Sequence, residues 1–334
     1  MRDEDFIEIS ATVRILEKSV LSDAGLGRIA DAADMGETLR LLSQNSSFDI
    51  PGVQEAESAI KSGLKAAYDE MRKHIPDMAV VDAAALPYEF HNIKTAVKTK
   101  HTGKDVQIYS DIPALAAGVV LDYVFGRLKP PAVGEDPVPD YVKEAVAETE
   151  AVYAETNDPQ YIDIVLDKHM FARLFALCEG IGNEFISGYA RLVADFHNLK
   201  TLLRVKNMQK GHRFLRDSLV AGGEAPPEFF VKHYDKTSDA LAQAFHYKTF
   251  GDLVKQGVDI HTQAGNYAGL EKILDDHLIR HIQHSKLVAY GPDVPFAYLI
   301  SRENEARAAR LIIACKLKGM GSDELRERLR DNYA

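Results

Sequence analysis

The chain has 334 residues, 46% of them hydrophobic and 27% charged, with a formal net charge of -10. That mix is too apolar for a disordered tail and sufficient for a sizeable core. Its acidity argues against a general nucleic-acid surface, which needs clustered Lys and Arg.

Cys178 and Cys315 each sit in an apolar helical pattern, so no disulfide framework or metal knuckle is expected and a reducing, cytoplasmic setting is. The opening MRDEDFIEIS is acidic where a secretory signal would be basic and then apolar. No run approaches the ~18 apolar residues of a membrane span.

Apolar residues recur at helical spacing from Ile15, Leu16, Val20 and Leu21 onwards. GLGRIA at Gly25 has the letters of a dinucleotide fingerprint but follows no strand, so it is read as helix and no nucleotide site is assigned. ESAIKSGLKAAYDEMRKHIPD reads as a long amphipathic helix, and MAVVDAAAL at Met78 is the one strand candidate, weakened by Asp82 and three alanines. Loops are expected at GRLKPPAVGEDPVPDY (126–141) and AGGEAPPEFF (221–230), where Gly and Pro interrupt helices. Between them, LCEGIGNEFISGYARLVADF is expected to form a second long helix. Leu241, Ala244, Phe245 and Tyr247 keep the helical spacing, and LEKILDDHLIRHIQHSK forms a third. His277, His281 and His284 share a face there, but no acid or cysteine ligand stands at a recognised spacing, so packing is the favoured reading over a metal site. In GMGSDEL, Ser322 is expected to cap the last helix. No phosphate-cradling Gly-x4-Gly-Lys-Ser/Thr loop occurs, and no cofactor is expected. The fold class is all-α.

One phrase is written more than once. EFHNIKTAVKTK begins at Glu89 and DFHNLKTLLRVK begins 106 residues on, at Asp195; a further 110 residues lead to Glu305 in ENEARAARLIIACK. The third copy keeps the acid and places Arg310 and Lys316 on the earlier lysines, but Ala308 replaces Asn92 and Asn198. Three repeats follow, 1–115, 116–226 and 227–334. Turning each residue by about 100° puts Glu89, Asn92 and Lys100 on one face with the aliphatic residues, and likewise Asp195, Asn198 and Lys206, and Glu305, Ala308 and Lys316. Buried acids and amides need partners, so this face is read as a structural clamp between helices. Lys94, Lys98, Lys200, Arg204 and Arg310 fall on the opposite face. Singly they are solvated charges; repeated in three units they form basic patches suited to an acidic protein partner. On the residues alone, a helical-repeat scaffold that binds a soluble protein also remains open.

The tripled phrase, the opening ATVRILEKSVLSDAGLGRIADAADMGETLRLL and the ending ISRENEARAARLIIACKLKGMGSDELRERLR resemble the C subunit of the bacterial and archaeal V-type (A-type) ATP synthases, whose eukaryotic relative is the d subunit of the vacuolar ATPase. The resemblance runs over essentially the whole chain. It implies three similar helical domains in a pseudo-threefold funnel, on the cytoplasmic face of the membrane rotor ring. The central opening would take the end of the shaft and pass torque between the ATP-handling head and the ring that carries protons or sodium ions. It further implies no catalysis and no cofactor in this component. The Pro-rich stretch around Lys129–Pro139 has no place in that pattern.

Overall fold

The computed structural model describes residues 2–104, 110–128, 136–245, 251–264 and 268–333. The described residues are almost entirely helix and loop, with no strand among them, as the all-α reading expected. In chain order the helices are α1 (Ile7–Leu16), α2 (Asp23–Ala30), α3 (Met35–Asn45), α4 (Ala56–His74) and α5 (Met78–Thr102). They continue with α6 (Ala117–Val124), α7 (Asp140–Thr156), α8 (Gln160–Ile181), α9 (Glu184–Asn207), α10 (His212–Ser218) and α11 (Pro227–Lys232). The remainder is α12 (Ser238–Phe245), α13 (Gly251–Ala264), α14 (Ala268–Gln283), α15 (Asp293–Leu317) and α16 (Ser322–Arg328).

By contact density the chain divides into two compact units, 1–81 joined with 235–334, and 82–234. Repeat boundaries at 115 and 226 follow similarity of sequence, and the two divisions need not coincide.

The first unit is organised around α15, which is buried on every side from Val294 to Ala306 and packs against α1, α3, α4 and α14. Apolar side chains such as Phe296, Leu299, Ala309 and Ile312 supply most of that contact, and each fully buried large side chain is worth roughly 1.5–3 kcal/mol. Caps are local and legible: Ser22 Oγ accepts from Gly25 N at 3.2 Å, and Asp34 Oδ1 accepts from Glu37 N at 2.8 Å while Glu37 reaches back to Ala33 N. GLGRIA is thus α2, a capped helix preceded by no strand. Both chain ends lie in this unit: Asn332 Nδ2 donates to Leu21 O, and the Tyr333 hydroxyl donates to Glu17 at 2.5 Å.

The second unit packs α7 on α8, α8 on α9, and the short α10 and α11 on α9. Phe171, Ala194 and Val220 form a buried cluster there, edged by Met170, Leu174, Phe175 and Val193.

MAVVDAAAL, the weak strand candidate, is the first part of α5, in keeping with the all-α reading. Three local expectations are corrected. LCEGIGNEFISGYARLVADF is two helices, because Gly182 takes a left-handed conformation (φ 68°) and Asn183 then caps α9 through Ile186 N at 3.0 Å. The loops end early: Asp140 and Tyr141 already belong to α7, and Pro227 opens α11, where a missing N–H costs nothing. Residues 129–135 of the Pro-rich stretch lie outside the described residues. Ser322 does not cap; Gly321 holds that position, and the Ser322 hydroxyl donates instead to Ala30 O at 2.9 Å.

Candidate functional site

The repeated phrase lies on α5, α9 and α15, and its inward face does the same job twice. Asn92 donates through Nδ2 to Ser110 O at 2.8 Å and accepts from Ser110 N at 2.8 Å. Asn198 makes the same pair with Val220, at 2.8 and 2.9 Å. A side-chain amide carries a donor nitrogen and an acceptor oxygen on one carbon, so it holds both polar groups of a single main-chain residue as a neighbouring strand would. Both asparagines are fully buried, where an unmade bond would be costly.

Ala308 cannot make this bond, and the third segment is held by other side chains. Asn304, one turn earlier on α15, donates to Asp331 O at 3.0 Å, and Asp276 on α14 accepts from Asp331 N at 2.7 Å. The helices carrying the phrase also end alike. Gly103, Gln209 and Gly319 follow them with φ of 67°, 55° and 70°, and they are spaced by the same steps of 106 and 110 residues as the acids.

The acids differ in their partners. Asp195 accepts from Glu224 N at 2.7 Å and Ala225 N at 3.0 Å, and Gly223 is needed beside it, since a Cβ there would stand 2.3 Å from the carboxylate. Glu305 accepts from Leu21 N at 2.9 Å and Ser47 N at 3.3 Å, and also pairs with the buried Arg302. Among the described residues Glu89 accepts only from the Tyr141 hydroxyl, at 2.6 Å. Burial pushes Glu89 and Glu305 above the ordinary carboxylate range; Tyr141 opposes this at Glu89, and Arg302 with the two amides opposes it at Glu305. The closing lysines diverge too. Lys316 donates to Ala30 O and Ala32 O at 2.8 and 2.7 Å, closing the C-terminal end of α2, whereas Lys100 pairs with Glu150 at 2.9 Å and Lys206 is exposed.

On the opposite face, three of the five basic residues hold acids of their own chain. Lys94 and Lys98 meet Asp167 and Asp163 at 2.5 and 2.6 Å, a two-rung ladder between α5 and α8. Arg310 makes a two-pronged contact with Glu57, at 2.9 and 3.0 Å. Lys200 and Arg204 have no carboxylate partner among the described residues. Beside them His197 is held below its ordinary pKa, first by burial and then by Lys200, Lys94 and Arg204, against the pull of Asp167. The neutral imidazole is thus favoured, and His197 packs edge-on against Phe171, with ring centroids 5.2 Å apart.

The run Arg302, Glu303, Asn304 and Glu305 was only partly anticipated, since the acid alone was singled out. All four are buried. The signal was available: four polar residues follow PFAYLIS without a break, inside a helix too apolar to present them to water. The Arg302 guanidinium stands over Phe48 at 4.8 Å, and Glu303 accepts from the Tyr68 hydroxyl and lies 3.6 Å from Arg307. Burial raises the Glu303 pKa from 4.5 to about 6. A carboxyl raised in the folded state favours the protonated form, so stability should fall as pH rises through that window. Glu303→Gln should match the wild type below it and exceed it above by about 2 kcal/mol, as urea unfolding at a series of pH values would show.

Among the described residues no three His, Cys, Asp or Glu side chains converge to hold a metal ion. No described helix is long and apolar enough to cross a membrane. The polar residues that stand out by burial and repetition hold main chain in place, and the class so defined is an all-helical protein with internally repeated main-chain clamps. The chain belongs to the ATP synthase (C/AC39) subunit family, whose pattern it matches over residues 9–328. It is similar to the C subunit of the V-type sodium ATPase of Enterococcus hirae, 22% identical over 264 residues that span 79% of this chain and 78% of that protein. It is 21% identical to the C subunit of the V-type ATP synthase of Thermus thermophilus, covering 92% and 93% of the two chains. The C subunit of the A-type ATP synthase of Thermococcus onnurineus is also 21% identical, over 96% and 89%.

Proposed function

We propose that the chain is a non-catalytic central-stalk subunit of a V-type or A-type rotary ATPase, seated on the cytoplasmic side of the membrane rotor ring. There it serves as the socket for the central shaft and couples ATP synthesis or hydrolysis to proton or sodium transport. The observation that carries this reading is the family match along residues 9–328, with relatives that are themselves named as C subunits of such machines. The repeat supports it. Three helical units, 1–115, 116–226 and 227–334, closed around an axis would form such a socket, and the acid of the last repeat is already bonded to Leu21 and Ser47 from the start of the chain. A body meant to transmit torque benefits from ends locked to each other. Tagged protein purified from its native membranes in mild detergent should bring down ring and shaft subunits; purification of this chain alone would overturn the reading.

Docking is assigned first to Lys200 and Arg204, whose charges are not neutralised in place, while Lys94, Lys98 and Arg310 add to the field alongside their acids. Charge reversal at Lys200 and Arg204 together is expected to weaken shaft binding by about tenfold or more at low salt, with the difference shrinking as salt rises. Reversal at Lys98 should do less, because Asp163 already answers that charge. Equal affinity for wild type and double variant at every salt concentration would remove these residues from the interface.

A further inference from the structure

The repeated acids are satisfied by main chain in two copies and not in the first. Asp195 and Glu305 each receive two backbone N–H groups. Glu89 receives the Tyr141 hydroxyl on Oε1, and no described residue donates to Oε2. The corresponding main chain can be located from the asparagine clamps. Glu224 and Ala225 lie four and five residues past Val220, the residue held by Asn198; the same count past Ser110, held by Asn92, gives Ala114 and Leu115. Those two residues line a cavity of ≈ 290 Å³ that also touches Glu89, and neither bonds to it.

The same cavity, all within the second unit, is walled by Asp82, Tyr141, Arg173, Leu86 and Leu177. Arg173 stands over the Tyr141 ring at 4.5 Å, its Nε is buried without an acceptor, and its guanidinium has no hydrogen-bond partner among the described residues. One wall therefore lacks an N–H donor and another lacks an oxygen acceptor. A peptide group carries both. A lone ammonium would serve Glu89 and leave Arg173 bare, and an anion would serve Arg173 while facing Glu89 and Asp82.

We propose that this cavity binds a peptide main chain, with an N–H directed to Glu89, a carbonyl oxygen to Arg173, and a small aliphatic side chain against Leu86 and Leu177. In effect the guest strand supplies to Glu89 what the chain's own backbone supplies to Asp195 and Glu305. The proposal stands apart from the docking charges at Lys200 and Arg204, and either can fail without the other.

Three probes test it on the full chain by titration calorimetry and amide NMR: N-acetyl-L-alanine methylamide, L-alanyl-L-alanine and L-alanine. The blocked peptide unit and the dipeptide should bind saturably, with shifts confined to amides around the cavity. Free alanine, which shares the donor and acceptor but has no peptide group, should bind more weakly. Arg173→Met should weaken the peptide probes at least about tenfold through loss of a charge-assisted bond. Glu89→Gln, checked for an unchanged fold by circular dichroism, should weaken them as well. Absence of saturable binding by both peptide probes, equal binding by Arg173→Met, or tighter binding of free alanine would each overturn the assignment.

Discussion

Replacing Glu305 with alanine is expected to lower the unfolding free energy of the unit that contains it by about 3–5 kcal/mol. The carboxylate is fully buried and has three obligations: the main-chain N–H groups of Leu21 and Ser47, and the Arg302 guanidinium. Alanine leaves two amides without an acceptor and strands a cation that is itself only 1% exposed. Arg302 has no easy relief, since its Nε already lacks a partner and Phe48 occupies the face of its guanidinium. The pair is nonetheless poor evidence of net stabilisation, because burial costs both ions their hydration. The double variant Glu305→Leu with Arg302→Met should accordingly recover only the part owed to the stranded cation, leaving the cost of the two unsatisfied amides. Urea unfolding of the three proteins measures this; a single-variant cost below about 1 kcal/mol would show that the site relaxes or admits water.

How much of this was legible beforehand depends on whether the cause was local. Helix type, the all-α class and the inward placement of Glu89, Asn92, Asp195 and Asn198 follow from the 3.6-residue period, which needs no knowledge of the partner. Repetition added a second constraint, for a residue copied at the same turn of the same helix is held by a common geometry. The partners were not legible. Nothing near Asn92 marks Ser110 as the clamped residue, and the bond between Glu305 and Leu21 joins positions 284 apart. Basic residues show the same limit from the other side. Lys94 and Lys200 occupy equivalent positions, yet among the described residues only Lys94 has an acid opposite, Asp167 on α8. A helical wheel assigns a face and stays silent about what stands across from it.

Boundaries failed for a more ordinary reason. Gly182 and Asn183 interrupt a run whose apolar spacing passes through them unchanged, so period alone could not see the stop, whereas a glycine followed by a capping residue was the cue.

Asp195→Ala is expected to cost about 3 kcal/mol, from two buried N–H groups at roughly 1–3 kcal/mol each. Glu224 N and Ala225 N lie on the turn that leads into α11, with Gly222 at φ 102° close to the Phe175 ring and Gly223 against the carboxylate. Pro226 and Pro227, next along, have no N–H to give. Asp195→Asn should cost less, about 1 kcal/mol, since one oxygen still accepts while the new amide nitrogen faces the second donor. The loss on going to asparagine distinguishes a hydrogen-bonding role from simple filling of space, for aspartate and asparagine have nearly the same shape and would then behave alike. Thermal and urea unfolding of both variants should show it, and hydrogen exchange should localise the loss to the main chain at Glu224 and Ala225. Equal melting temperatures for wild type and Asp195→Ala would mean that the turn is held by its glycines and by α11 alone.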